Sequence, residues 1–258
     1  MEKIKAEKSW VSKTMLRAMF IVWCVLTLVC VLFHQIIVIA IIIGGVLSAL
    51  VLILFLYFLY AYRQLSLAGG DLQGQVSALL TDRIEETAKG RLLDIGCGSG
   101  ILSVELAIKC PELNIQGIDY WGSMWGYSKE KCENLAKKYN VADRIHFEKA
   151  SASSLPFADE TFDIVISNMV FHEVADAKDK REVIKEALRV LKPGGQFIFQ
   201  DLLASKKLYG QPGDIVRYIK DLGIKEVSFI RTNEQISIPV LLNVPMFFGD
   251  TAMLMGEK

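Results

Sequence analysis

Leu92-Leu93-Asp94-Ile95-Gly96-Cys97-Gly98-Ser99-Gly100 is the stretch on which the fold turns. A short apolar run closes on an acid and an isoleucine. Three glycines follow at alternate positions, and apolar residues then recur at helical spacing from Ile101. Glycines permit positive φ and let a ligand approach bare backbone. In an open parallel sheet such a turn lies at the carboxyl end of its strand, where ligands bind. An ordinary tight strand–helix turn has the same look, so the glycines need support from elsewhere in the chain.

Working outward, strands are expected over 91–95, 114–118, 144–148, 162–167 and 196–202, with helices over 101–109, 129–139 and 178–190 between them. A helix over 213–222, a strand over 226–230 and a last strand over 251–255 complete the pattern. Strands alternating with helices mean parallel crossovers and a sheet covered on both faces. Ahead of them, residues 71–89 read as an amphipathic linker helix ended by Gly90.

Two features support ligand binding at the glycine turn. Asp94 precedes it, and Asp119 ends the next strand 19 residues after Gly100, placed to accept hydrogen bonds from ribose hydroxyls. Dinucleotide sites want G-x-G-x-x-G, whereas here the spacing is G-x-G-x-G and Ile101 stands where the third glycine would fall. An acid before the glycines would repel a pyrophosphate. A cofactor with a cationic end and no phosphate suits the turn better, and S-adenosylmethionine is one.

With Gly117-Ile118-Asp119, Leu155-Pro156-Phe157, Thr161-Phe162-Asp163-Ile164-Val165 and Leu191-Lys192-Pro193-Gly194-Gly195 added in order, residues 70–258 resemble a class I S-adenosylmethionine-dependent methyltransferase of the small-molecule type. The resemblance implies an α/β, doubly wound, Rossmann-like methyltransferase fold. Its sheet is seven-stranded and mostly parallel, with the last strand antiparallel. It also implies site roles. Asp94, Gly96, Cys97, Gly98 and Gly100 line the methionine end, Asp119 holds the ribose, and Tyr120 borders the adenine. Ser151 and Ala152 stand where many relatives carry Gly-Asp-Ala, so the acid facing the adenine amino group is replaced by a hydroxyl. Asn168 faces the methionine amino group.

Methyl transfer from a sulfonium is a displacement in which the protein mainly supplies alignment and exclusion of water. A base is needed when the acceptor is protonated. His172 and Glu173, beyond the fourth strand on the ligand side, are the candidates for catalysis; the plainer alternative is that they cap or orient the next helix. No metal site is expected. Aromatics between Tyr120 and Tyr127 either wall an acceptor pocket, hold a cation by their faces, or pack under a long loop. The uncharged, proline-broken segment from Ile236 to Phe248 either meets a bilayer surface or covers a sheet edge.

The chain has 258 residues, 29 basic and 29 acidic, and 52% apolar residues. Composition excludes disorder and a disulfide scaffold. From Ala18 to Tyr62, 45 consecutive residues include no Asp, Glu, Lys or Arg. A transmembrane helix needs about 20, so two spans are expected, roughly 15–33 and 36–60, turning at His34-Gln35 or alternatively at Gly44-Gly45. The run is too long for a signal peptide, whose apolar core is about 7–15 residues. Basic residues flank both ends, which places both on the cytoplasmic side of a cell membrane, and Trp10, Tyr57, Tyr60 and Tyr62 fit an aromatic belt. Residues 1–63 therefore read as a membrane anchor with two transmembrane helices, 64–90 as a linker helix and 91–258 as the methyltransferase domain. The anchor carries six basic residues against two acidic ones. The remainder has 23 basic against 27 acidic, a poor nucleic-acid binder. Five cysteines without CxxC spacing fit a reducing cytosol. The expected partners are a small-molecule or lipid acceptor and the membrane. A non-catalytic S-adenosylmethionine-binding membrane module, serving as sensor or partner, is the alternative.

Overall fold

The computed structural model of the chain describes residues 11–32, 38–122, 126–224 and 226–258. Two compact units divide it, one within residues 5–74 and one comprising 75–258.

In the first unit, α1 (Lys13–Leu32) and α2 (Val38–Leu65) are both long and apolar enough, in 20- and 25-residue stretches, to cross a membrane. At about 1.5 Å per residue each covers roughly 30 Å or more. Their apolar side chains face outward: Val31 is 67% and Ile53 61% exposed. The pair is pinned by a Thr27 Oγ1–Ser48 Oγ hydrogen bond of 2.7 Å and by Phe20 against Phe55. A Cβ on Gly44 would meet Cys30 Sγ at 2.5 Å. Gly44 is thus a close-packing position inside α2, and a turn at Gly44-Gly45 is excluded. The expected turn at His34-Gln35 and the expected belt residue Trp10 lie outside the described residues.

In the second unit α3 (Leu72–Thr81) leads into β1 (Lys89–Ile95), α4 (Ile101–Lys109), β2 (Glu112–Asp119), α5 (Lys129–Lys138), β3 (Ile145–Lys149) and β4 (Phe162–Asn168). Then come α6 (Lys180–Arg189), β5 (Leu191–Asp201), α7 (Lys206–Tyr209), α8 (Pro212–Asp221), β6 (Glu226–Arg231) and β7 (Ala252–Glu257). The seven strands lie in the order β3-β2-β1-β4-β5-β7-β6, and β7 is antiparallel to both neighbours. This is the doubly wound, mostly parallel sheet with an antiparallel last strand that the resemblance implies. Alternate strand residues feed two cores. Leu93, Ile95, Val165, Phe197 and Phe199 face one layer; Leu92, Ile164, Ile166 and Ile198 face the other. α6 follows the helical rule closely: Val183, Ile184, Ala187 and Leu188 are buried, and Asp179 caps its first turn by accepting the Arg181 N–H.

The linker helix expected over 64–90 is corrected. α2 continues to Leu65, α3 stops at Thr81, and β1 begins at Lys89. After Thr81 the chain tightens, with Arg83 N–H on Leu80 O and Ile84 N–H on Thr81 O. Ile84 stays buried below Leu80, as i, i+4 spacing would also have it, but the chain has already left the regular helix. Gly90 ends no helix. It sits within β1 at φ +97°, where a Cβ would collide with Asp163.

Candidate cofactor and methyl-transfer site

The parallel strands deliver their last residues to one edge of the sheet: Asp94 near the end of β1, Asp119 of β2, Asn168 of β4 and Asp201 of β5. The glycine turn is folded over that edge. Gly96 and Cys97 both donate their N–H to Ile118 O, at 2.7 and 2.9 Å. Asp119 Oδ2 accepts the Gly98 N–H at 2.9 Å and its Oδ1 accepts the Trp121 N–H at 2.6 Å. Trp121 Nε1–H closes the circuit on Gly98 O at 3.0 Å. Gly96 has φ +73°, and a Cβ there would overlap the Val170 methyls. Gly96→Ala is accordingly expected to lower stability by about 1–3 kcal/mol, seen as a fall in Tm. An unchanged Tm would refute the crowding.

Cys97 is buried and its thiol is pushed up by burial and by Cys132 beside it; Cys132 Sγ–H donates to Gly98 O. Cys97 packs the turn rather than presenting a nucleophile.

Asp94 is 1% exposed and accepts a 2.6 Å hydrogen bond from Ser103 Oγ. Burial pushes its carboxyl up to about 7, with the charge of Asp119 adding to the effect and Ser103 opposing it. The folded value lies above the ordinary one. The stability that comes with the neutral carboxyl is therefore complete below about pH 4 and is lost as pH rises through about 7. Asp94→Asn has no proton to lose. Its Tm relative to the parent should rise between about pH 5 and about pH 8, by the equivalent of a few kcal/mol at most. A constant difference over that range would show that Asp94 does not titrate there.

Asn168 donates from Nδ2 to Ser77 Oγ at 3.2 Å, while its Oδ1 is buried and meets no donor among the described residues. Its register partner Gln200 also has an orphaned amide oxygen. Ser151 does not stand alone: its Oγ and that of Ser153 both donate to Asp176 Oδ2, at 3.1 and 2.5 Å. A carboxylate from the segment before α6 thus stands within hydrogen-bond reach of position 151. Ala152 is buried beside it. Tyr120 is 67% exposed and its ring carries Lys149 Nζ at 4.8 Å.

His172 lies in a 3-10 turn, Phe171–Glu173, directly after β4. Its Nδ1 is 2.8 Å from Asp201 Oδ1, and its backbone N–H donates to Asp201 Oδ2 at 3.2 Å. Asp201 is buried and also takes the Leu202 N–H. A carboxylate only accepts, so Nδ1 carries the ring proton and Nε2 is left as the acceptor. Burial alone would lower the His172 pKa; the bond and charge of Asp201 outweigh it and raise it. Glu173 Oε1 lies 3.9 Å from Nε2. Tyr127 is pushed up to about 12 by burial and by the charges of Asp119 and Glu173, and its ring would touch a Cβ on Gly98 at 3.6 Å. One edge thus gathers Asp94, Gly96, Gly98, Gly100, Asp119, Asn168, His172 and Glu173. Ser123, Met124 and Trp125 of the aromatic loop lie outside the described residues.

Asp201 was not among the expected site residues. Its only signal in the sequence is a single acid closing the apolar run from Phe197 to Phe199 and Gln200. Tyr209, buried with a hydroxyl that meets no partner among the described residues and pushed up by burial and by Asp201, gives no sequence signal beyond its hydrophobicity.

The donor set suits the cofactor implied by the resemblance. The side chains of Asp94 and Asp119, a spare buried acceptor on Asn168 and a backbone without Cβ atoms offer acceptors. They match a nucleoside with a ribose diol, an ammonium and a sulfonium. Among the described residues no cluster of three or more His, Cys, Asp or Glu is placed to hold a metal ion.

The pattern of a family described as a methyltransferase domain matches residues 93–199. The chain is 32% identical over 164 residues to 27-O-demethylrifamycin SV methyltransferase of Amycolatopsis mediterranei, covering 62% of this chain and 57% of that protein. It is 34% identical over 117 residues to the ubiquinone/menaquinone biosynthesis C-methyltransferase UbiE of Geotalea daltonii, covering 45% and 47%. The chain therefore spans about half the length of these curated relatives. In fold it is similar to geranyl diphosphate C-methyltransferase of Streptomyces coelicolor, with a TM-score of 0.53, 12% identity and 73% and 80% of the two chains covered.

Proposed function

We propose that this chain carries a class I S-adenosylmethionine-dependent methyltransferase domain of the small-molecule type and methylates a small apolar or lipid-like acceptor at a membrane. The observation that carries catalysis is the His172–Asp201 pair beside the glycine turn. Bound S-adenosylmethionine supplies an electrophilic methyl on a sulfonium. Asp119 holds the ribose diol while it fixes the turn through Gly98 and Trp121. Asp94 and Asn168 Oδ1 face the methionine end. His172 Nε2 takes a proton from the acceptor as its nucleophilic atom loses it, and Asp201 holds the ring in the tautomer that leaves Nε2 free to do so. Asp201 is a positioning residue. Glu173, 3.9 Å away, favours the imidazolium that results.

The membrane part of the proposal is supported by α1 and α2, two apolar helices of spanning length that expose their side chains. The cytoplasmic side is favoured by the basic residues that flank them. An anchored domain meets acceptors dissolved in the bilayer at high local concentration. The test is incubation with isotopic S-adenosylmethionine and total lipid extract, followed by mass spectrometry. Label should appear in a lipid-phase product. Tight cofactor binding with no labelled product from lipid or aqueous extracts would favour the non-catalytic binding module instead.

A further inference from the structure

The segment between β6 and β7 is the most unusual surface of the second unit. From Ile236 to Phe248 it has no charged residue. It is held in shape by Leu242 N–H on Pro239 O at 2.8 Å and Gly249 N–H on Val244 O at 3.0 Å. Leu242 and Phe248 point inward and are 0% and 2% exposed. Their neighbours do the opposite: Val240 is 85%, Leu241 57%, Val244 38% and Met246 48% exposed. Scattered exposed aliphatics are ordinary, but four within seven residues on an anchored loop form a patch that marks an interaction site.

The polar groups around the patch indicate what covers it. Ser205 Oγ–H lies 3.2 Å from Met246 Sδ, and Ser205 is followed by the exposed Lys206 and Lys207. Asp250 bends inward to take the Met246 N–H at 2.8 Å, and Glu234 is the one exposed acid on the turn entering the segment. Bulky apolar side chains rimmed by lysines are the pattern of a surface that enters the headgroup layer of an anionic bilayer. Position agrees. Arg231 at the end of β6 and Asp201 at the end of β5 both pair with Ala252. The segment therefore leaves the sheet at the edge that carries Asp201 and His172.

We propose that Val240, Leu241, Val244 and Met246, with Lys206 and Lys207, form a second membrane contact that dips into an anionic lipid surface beside the mouth of the methyl-transfer site. This rests on the membrane-anchored reading above and adds the route of the acceptor, which enters from the lipid surface and not from bulk water.

The experiment uses the full chain reconstituted in vesicles of phosphatidylcholine and phosphatidylglycerol doped with a diazirine-bearing phosphatidylglycerol. After photolysis, tryptic peptides are sequenced by mass spectrometry. The chain has no Lys or Arg between Thr232 and Glu257, so the whole segment is recovered in one peptide. Lipid adducts should map to residues 239–246 as well as to α1 and α2. Val240→Asp combined with Met246→Asp should cut the adducts on that peptide at least about tenfold and leave calorimetric affinity for S-adenosylmethionine unchanged, as both side chains are exposed. Lys206→Glu with Lys207→Glu should reduce them on these anionic vesicles but not on phosphatidylcholine vesicles doped with a diazirine-bearing phosphatidylcholine. Adducts on α1 and α2 alone would overturn this contact and leave the anchor standing. Absence of adducts from all three would overturn the anchor and this contact together. Cross-links between this peptide and a second copy of the chain, in place of lipid, would assign the patch to self-association and overturn the proposal.

Discussion

Asp119→Ala is expected to weaken S-adenosylmethionine binding by about two to four orders of magnitude. One carboxylate does three things at that position. It takes the Gly98 N–H at 2.9 Å and the Trp121 N–H at 2.6 Å, and it retains lone pairs for the ribose diol. Hydrogen bonds to a charged group are each worth about 1.5–3 kcal/mol, and about 1.4 kcal/mol is tenfold in affinity. Loss of the ribose contact alone accounts for the lower bound. Loosening of the glycine turn, which Trp121 also holds through Gly98 O, accounts for the rest. Asp119→Asn keeps one acceptor oxygen and should fall between the parent and Asp119→Ala. Isothermal calorimetry with the full chain in detergent measures all three. Equal affinity of Asp119→Ala and the parent would remove the basis for placing the nucleoside at this edge.

His172→Gln is expected to lower kcat by about 10²–10⁴, the usual range for a positioned general base, while the cofactor Kd stays within about twofold, because the imidazole's polar contacts among the described residues run to Asp201 and Glu173. The stronger test is Asp201→Asn. Asp201 holds the ring at 2.8 Å, and its bond and charge raise the His172 pKa against the opposing effect of burial. A base works only when unprotonated, so kcat should fall as pH drops through that raised value. Removing the carboxylate leaves burial in control. The acid limb of the profile should then shift to lower pH, while the plateau falls because the amide no longer fixes one tautomer. A merely structural Asp201 would lower the plateau and leave the limb in place. Unaltered kcat in His172→Gln would mean that the acceptor arrives already deprotonated and needs no base.

Much of this architecture is written locally. The alternation of short apolar runs with amphipathic stretches placed every strand of the sheet, since period-two and helical patterns follow from backbone geometry alone. Strand ends moved by a few residues: β2 reaches Asp119 and β5 starts at Leu191, where cross-strand bonding and not propensity sets the limit. The placing of Asp94, Asp119 and the three glycines at one sheet edge was legible because a strand end and the turn after it occupy fixed positions along the chain. The 45-residue run between Arg17 and Arg63 likewise marked two apolar helices, for a hydrocarbon layer sets a length that composition must meet.

The linker was misread because Leu80 and Ile84 keep helical spacing and are both buried, while the chain leaves the helix after Thr81 through i→i−3 bonds that no apolar spacing reports. The sequence by itself determined the fold class, the glycine turn and the acids flanking it, for those depend on neighbours a few residues apart. Only the tertiary structure decided that Asp201 holds His172 from 29 residues away and that Asp176 serves Ser151 from 25. Such pairs are created when different strands and loops end at one sheet edge, and no local pattern carries the register that brings them together.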